Sequence, residues 1–160
     1  MAHFVRTRPA PTVKGAGYAR FRSYVRSDFR ETCSYCLIAE LFAHGEENFE
    51  LDHFRPRSLF PNLKDDFYNL HWACHPCNHK KRDWWPDAAL EVREIGFVDL
   101  TADDAATHYK VLDDGGLEGL TTSANHTIDK LLLNRKHLVK MRRLLRELAE
   151  LDRPIASGTQ

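Results

Sequence analysis

Between residues 18 and 31 the apolar side chains Tyr18, Phe21, Val25 and Phe29 recur every three to four positions. That period predicts a helix, with Arg22, Arg26 and Arg30 forming a basic stripe on another face. Residues 48–55 (NFELDHFR) alternate in polarity and predict a strand. Pro56 and the run PNLKDD break the pattern into a loop. The segment 67–73 (FYNLHWA) predicts a second strand, and PCNHKKRDW a short helix ended by Pro86. Strand, loop, strand and helix therefore follow one another in the middle of the chain.

Farther on, 94–100 (EIGFVDL) predicts another strand, and 108–120 a hairpin turning at Asp114-Gly115 or Gly115-Gly116. Residues 123–151 read as helical, with Asn134 marking a break between two helices. Leu138, Met141, Leu145, Leu148 and Leu151 form an apolar stripe on the second of them. The stripe is expected to pack on the core; a homodimer seam is the alternative.

Composition refines this picture. With 160 residues and 42% hydrophobic content, the chain suits one domain with a modest core. Residues 1–16 are basic and rich in Pro, Gly and Ala, so they are expected to be a flexible arm, and 17–160 a single domain. No run of eighteen apolar residues predicts a membrane span, and the N-terminus has no apolar signal region. The expected location is the cytoplasm.

The formal net charge is zero but unevenly spread. Residues 1–30 hold seven Lys/Arg and one acid, 53–82 hold six Lys/Arg and two Asp, and 83–129 hold two basic groups and eleven acids. Basic segments beside metal-type motifs point to a polyanionic partner.

The four cysteines form two CxxC pairs, Cys33/Cys36 and Cys74/Cys77, with 37 residues between the pairs. Each pair offers two thiolates from one tight turn, and together they complete a tetrahedral Zn²⁺ site. With all four positions filled by protein, that zinc is structural. The gap between the pairs is longer than the ~15–20 residues common in zinc ribbons, and it contains Asp52-His53.

Hydrolysing a phosphodiester needs a base to activate water, a cation to stabilise the leaving oxygen, and basic groups to hold flanking phosphates. His53 can serve as the base. Asp52 and Asn78 offer oxygen ligands of the kind Mg²⁺ or Mn²⁺ takes. His79 is a rival ligand one residue along, and helix N-capping a rival role for Asn78. Arg55, Arg57, Lys81 and Arg82 are expected phosphate contacts. His71 and His75 receive no role.

DH-F-RPRS, then YNLHWAC, then C-N-H-K-K resemble the HNH nuclease family over residues 33–82. The resemblance implies an α+β fold: a ββα-metal core (33–86) with a four-cysteine zinc site, flanked by N-terminal and C-terminal helices (the latter at 123–151). It implies His53 as general base, Asp52 and Asn78 as ligands of a catalytic Mg²⁺ or Mn²⁺, and Asn69, placed on the second strand, as the residue that orients the base. The implied reaction is endonucleolytic hydrolysis of DNA leaving 3′-hydroxyl and 5′-phosphate ends. TIDKLLLNRKHLVKMR, the CxYC pair and the W-P after the motif resemble a bacterial subgroup that includes phage-defence effector nucleases working beside an ATPase. The rival reading is a zinc-finger module that binds nucleic acid without cutting it. The residues do not distinguish DNA from RNA, nor a monomer that nicks from a dimer that cuts both strands.

Overall fold

The structure is a computed structural model that describes residues 4–151. A 3₁₀ turn, Tyr18–Phe21, leads into helix α1, Arg22–Asp28. Val25 and Phe29 are fully buried, as the helical period predicts. The helix stops earlier than its pattern suggests, because Arg30 and Glu31 adopt positive φ of 51° and 57° and turn the chain into the first cysteine pair.

Strands β1, Phe49–His53, and β2, Leu70–Cys74, pair antiparallel, with Asp52 opposite His71 and His53 opposite Leu70. Helix α2, His75–Lys81, begins directly after β2 and completes a ββα unit. All five β2 residues are buried. A strand covered on both faces has no reason to alternate in polarity, and LHWAC does not. Trp72 fills the centre: Phe49 stacks on it at 5.7 Å, and its indole N–H donates to Glu40 Oε1 at 2.7 Å. No helix among the described residues is long and apolar enough to cross a membrane.

Helices α3, Ala88–Val92, and α4, Ala105–His108, follow. The predicted strand at 94–100 does not form. Phe97, Val98 and Leu100 are buried without a strand partner, and the Val98 N–H donates to Thr127 Oγ1 at 3.0 Å instead of to a ladder. Apolar side chains placed there to plug the core give the same pattern as a strand.

The predicted hairpin is present as β3, Tyr109–Val111, and β4, Leu117–Gly119. Its turn centres on Asp113 and Asp114, with Gly115 at φ 89° as the bulge residue. A Cβ on Gly115 would meet the Val139 carbonyl oxygen at 2.2 Å. Gly115→Ala therefore combines a left-handed backbone with a clash against helix backbone, and is expected to cost at least about 1–3 kcal/mol in urea unfolding.

Helices α5, Thr122–Leu131, and α6, Lys136–Leu151, are separated by a left-handed turn at Leu132, close to the break expected at Asn134. Asn134 instead bonds both backbone groups of Leu117, tying the break to β4. Core packing describes only the first part of the α6 stripe. Leu138 is buried and Met141 packs against the core, but Leu145, Leu148 and Leu151 are exposed.

Two expectations about charge are corrected. Within the arm expected to be flexible at 1–16, residues 4–7 are built into the fold. Phe4 is buried against Phe29, and the Arg6 guanidinium donates to Asp28 Oδ2 and to the Leu70 and Phe67 carbonyls at 2.6–3.0 Å. The basic stripe of α1 is largely used internally: Arg26 pairs with Glu40, Glu31 and Glu46, while Arg22 pairs with Glu46 and lies over the Trp72 ring.

Candidate active site and cysteine cluster

The two CxxC pairs converge. Cys33 and Cys36 come from the turn after α1, Cys74 from the end of β2, and Cys77 from the first turn of α2. All four are buried, and their sulfurs lie within 4.8 Å of one another. Cys36 Sγ and Cys74 Sγ are 3.7 Å apart. Tetrahedral zinc with Zn–S bonds of about 2.3 Å requires sulfurs about 3.8 Å apart, so the set fits a zinc site. Arg135 reaches Cys77 Sγ at 3.7 Å and brings a cation to the cluster. Among the described residues, no other set of three or more His, Cys, Asp or Glu groups is this close.

An open cleft of about 260 Å³, lined by none of the four cysteines, runs between β1, α2 and the 3₁₀ turn before α1. Asp52, His53, Asn78, Arg57 and Arg82 line it, together with Tyr18, Glu50 and Asp83. The antiparallel pairing puts His53 at the end of β1, and α2 brings Asn78 to the same wall. Asn78 is the fourth residue of α2 and Cys74 occupies the N-cap, so capping is not the role of Asn78. His79 lies outside the cleft.

His53 is held from two sides. The Tyr18 ring meets it edge-on at 4.6 Å, and its Nε2 lies 2.8 Å from the Lys64 carbonyl oxygen. A carbonyl can only accept, so Nε2 carries a proton, and in the neutral imidazole Nδ1 keeps its lone pair. That tautomer leaves Nδ1 able to take a proton.

Asn69 precedes β2, at the end of the 3₁₀ turn Phe67–Asn69, rather than on the strand as expected. Its Oδ1 accepts from the Arg55 N–H, and its Nδ2 donates to the Arg55 and Leu63 carbonyls. One amide thus fastens both ends of the loop that presents the Lys64 carbonyl to His53. Asn69→Ala should strand three backbone groups and loosen that loop. A stability loss of about 1–3 kcal/mol and a fall of about 10²-fold in any His53-dependent turnover are expected, by denaturant titration and single-turnover kinetics.

Asp52 is more deeply engaged than a simple metal ligand. Only 5% exposed, its carboxylate accepts a hydrogen bond from the Tyr35 hydroxyl and faces Lys81 Nζ at 3.2 Å. Burial raises its pKa above the usual carboxylate range, opposed by the charge and hydrogen bonds of Lys81 and Tyr35. An ionised carboxylate has about four lone-pair sites, so capacity remains on the cleft side for an oxygen–metal contact.

Lys81 is the largest departure from the sequence reading. Expected to hold phosphate, it is fully buried, and its ammonium also donates to the His53 carbonyl at 2.8 Å. It braces the backbone of β1 from within the protein. Of the other expected phosphate contacts, Arg57 and Arg82 face the cleft, whereas Arg55 lies over the Phe60 and Trp85 rings outside its lining.

His71 packs under the site against Phe54 and Phe29, and burial lowers its pKa to about 4. It is a neutral core group. Tyr18, Glu50 and Asp83 carry no site signal in the motifs themselves, and Tyr18 reads only as part of the helical apolar pattern. Tyr35 has a signal only as the aromatic inside the first CxxC. The Lys64 contribution is a backbone carbonyl, to which side-chain identity gives no clue.

Residues 33–83 match the family model for HNH endonuclease. The chain is also similar to the Septu protein PtuB of Bacillus thuringiensis, with 28% identity over 100 residues. That alignment covers 62% of this chain and 36% of the relative, so the chain spans about a third of the length of the curated protein it matches. The resemblance read from the DH, NL and CN motifs is therefore found again by independent comparison over the same segment.

Proposed function

We propose that this protein, with its HNH-type segment at 33–83, is a metal-dependent endonuclease that hydrolyses DNA phosphodiester bonds. The observation that supports this most is His53, with its Nε2–H committed to the Lys64 carbonyl, on one cleft wall with Asn78, Arg57 and Arg82. In this reading Nδ1 takes a proton from water, and the hydroxide attacks phosphorus in line with the 3′ oxygen. The P–O3′ bond breaks and the departing O3′ takes a proton from solvent, leaving 3′-hydroxyl and 5′-phosphate ends. Asn69 keeps the Lys64 carbonyl in place. Arg57 and Arg82 meet the phosphates on either side, and Tyr18 closes one face of the imidazole.

Asp52 and Asn78 would hold a Mg²⁺ or Mn²⁺ ion, which when bound supplies positive charge to the leaving oxygen. The four cysteines would hold a structural Zn²⁺. The similarity to a Septu protein supports a role in phage defence; a cytoplasmic location and a partner ATPase belong to the same proposal. The exposed Leu145, Leu148 and Leu151 leave a surface for a homodimer or that partner.

Supercoiled plasmid incubated with the protein and Mg²⁺ or Mn²⁺, with and without EDTA, tests the reading. Metal-dependent nicking is expected, and single-stranded RNA in parallel identifies the preferred nucleic acid. Binding without cutting by the folded, zinc-loaded protein would favour the zinc-finger module instead.

A further inference from the structure

We propose that His75, His79 and Glu50 form a second metal site, for Zn²⁺, on the outer rim of the ββα unit. This site is separate from the cysteine cluster and uses neither His53 nor Asn78. Helix α2 runs without interruption from His75 to Lys81, so the two histidines are one turn apart, with Cβ atoms about 5–6 Å from each other on one face. Glu50 comes from β1, and its Oε1 lies 3.9 Å from His75 Nε2. All three residues, with Pro76, line one open concavity.

The donor set decides which ion fits. Two imidazoles and one carboxylate, with a fourth position left to solvent, form a set that zinc takes at about 2.0–2.2 Å. Imidazole-rich sites favour zinc over magnesium, which prefers oxygen. The His75 and Glu50 side chains are 52% and 42% exposed, and His79 is exposed. Their exposure leaves all three side chains free to rotate toward one ion. The other concavity with two histidines, His44 and His137, is lined by Arg135 and has no carboxylate, so it lacks this donor set. Glu50 also lines the His53 cleft, which places the bound ion at the rim of that cleft.

The test is zinc stoichiometry of the full chain, prepared without a histidine tag, by equilibrium dialysis and elemental analysis. Two zinc ions per chain are expected at saturation, falling to one in the His75→Ala/His79→Ala double variant, whose melting temperature should match that of the native chain loaded with one zinc. Glu50→Gln should weaken the second ion by about tenfold or more, at least what loss of an outer-sphere partner costs. Saturation of the native chain at one zinc would overturn the proposal, as would a second zinc that persists in the double variant. Because the readout is stoichiometry, it stands apart from whether the protein cuts DNA.

Discussion

Replacing Lys81 with methionine is expected to lower stability by about 3–5 kcal/mol at pH 7, the usual cost of leaving one member of a buried ion pair without its partner. Lys81 has no exposed surface, and its ammonium meets the Asp52 carboxylate and the His53 carbonyl. Methionine fills similar space but leaves a buried negative charge facing Tyr35 alone. The loss should depend on pH. Burial already raises the folded pKa of Asp52 above its unfolded value. A carboxylate with a raised folded pKa favours the folded state at low pH, and that contribution disappears as pH rises through the folded pKa. Removing Lys81 raises that pKa further. The gap between variant and native protein should therefore be widest at neutral pH and narrower at a mildly acidic pH, as the variant's Asp52 takes a proton. Urea unfolding of both proteins at the two pH values measures this, and an equal gap at both would show that the Asp52 charge is not the cause.

Withdrawal of the proposed zinc should have a larger effect. The four cysteine sulfurs join the turn after α1, the end of β2 and the start of α2. Structural zinc contributes roughly 10–16 kcal/mol of apparent binding free energy in zinc-finger peptides at neutral pH. β1 and β2 form a sheet of only two strands, which depends on the elements packed against it, and the cysteine cluster ties those elements together. Treatment with a strong chelator, or Cys77→Ser, is expected to abolish the cooperative thermal transition and most near-UV circular dichroism. A chelated protein that melts as before would mean that packing around Trp72 suffices to hold the unit.

The sequence made the ββα unit legible because its signals are local. The alternation in NFELDH, the CxxC turns and the polar helix after Cys74 each depend on near neighbours, and the comparisons agree with the family they suggest. Three features depended on tertiary context instead. Lys81 sits among basic residues and reads as surface, yet α2 turns it into the core under Asp52. The segment 94–100 is apolar enough for a strand, but no strand lies beside it. Arg6 lies in a Pro- and Gly-rich stretch that suggests a loose arm, yet Asp28 and two carbonyls capture it. Two of the three are charged side chains, whose sequence signal is the same whether their partner is water or a buried carboxylate.

The measurement that tests the central claim most directly is the rate of plasmid nicking by His53→Ala against the native protein, at matched zinc content and melting temperature. General-base catalysis contributes typically 10²–10⁴-fold, so cleavage should fall by at least about 100-fold while zinc and fold are retained. A His53→Ala protein that nicks at the native rate would contradict His53 as the base and, with it, the assignment of the cleft as the active site.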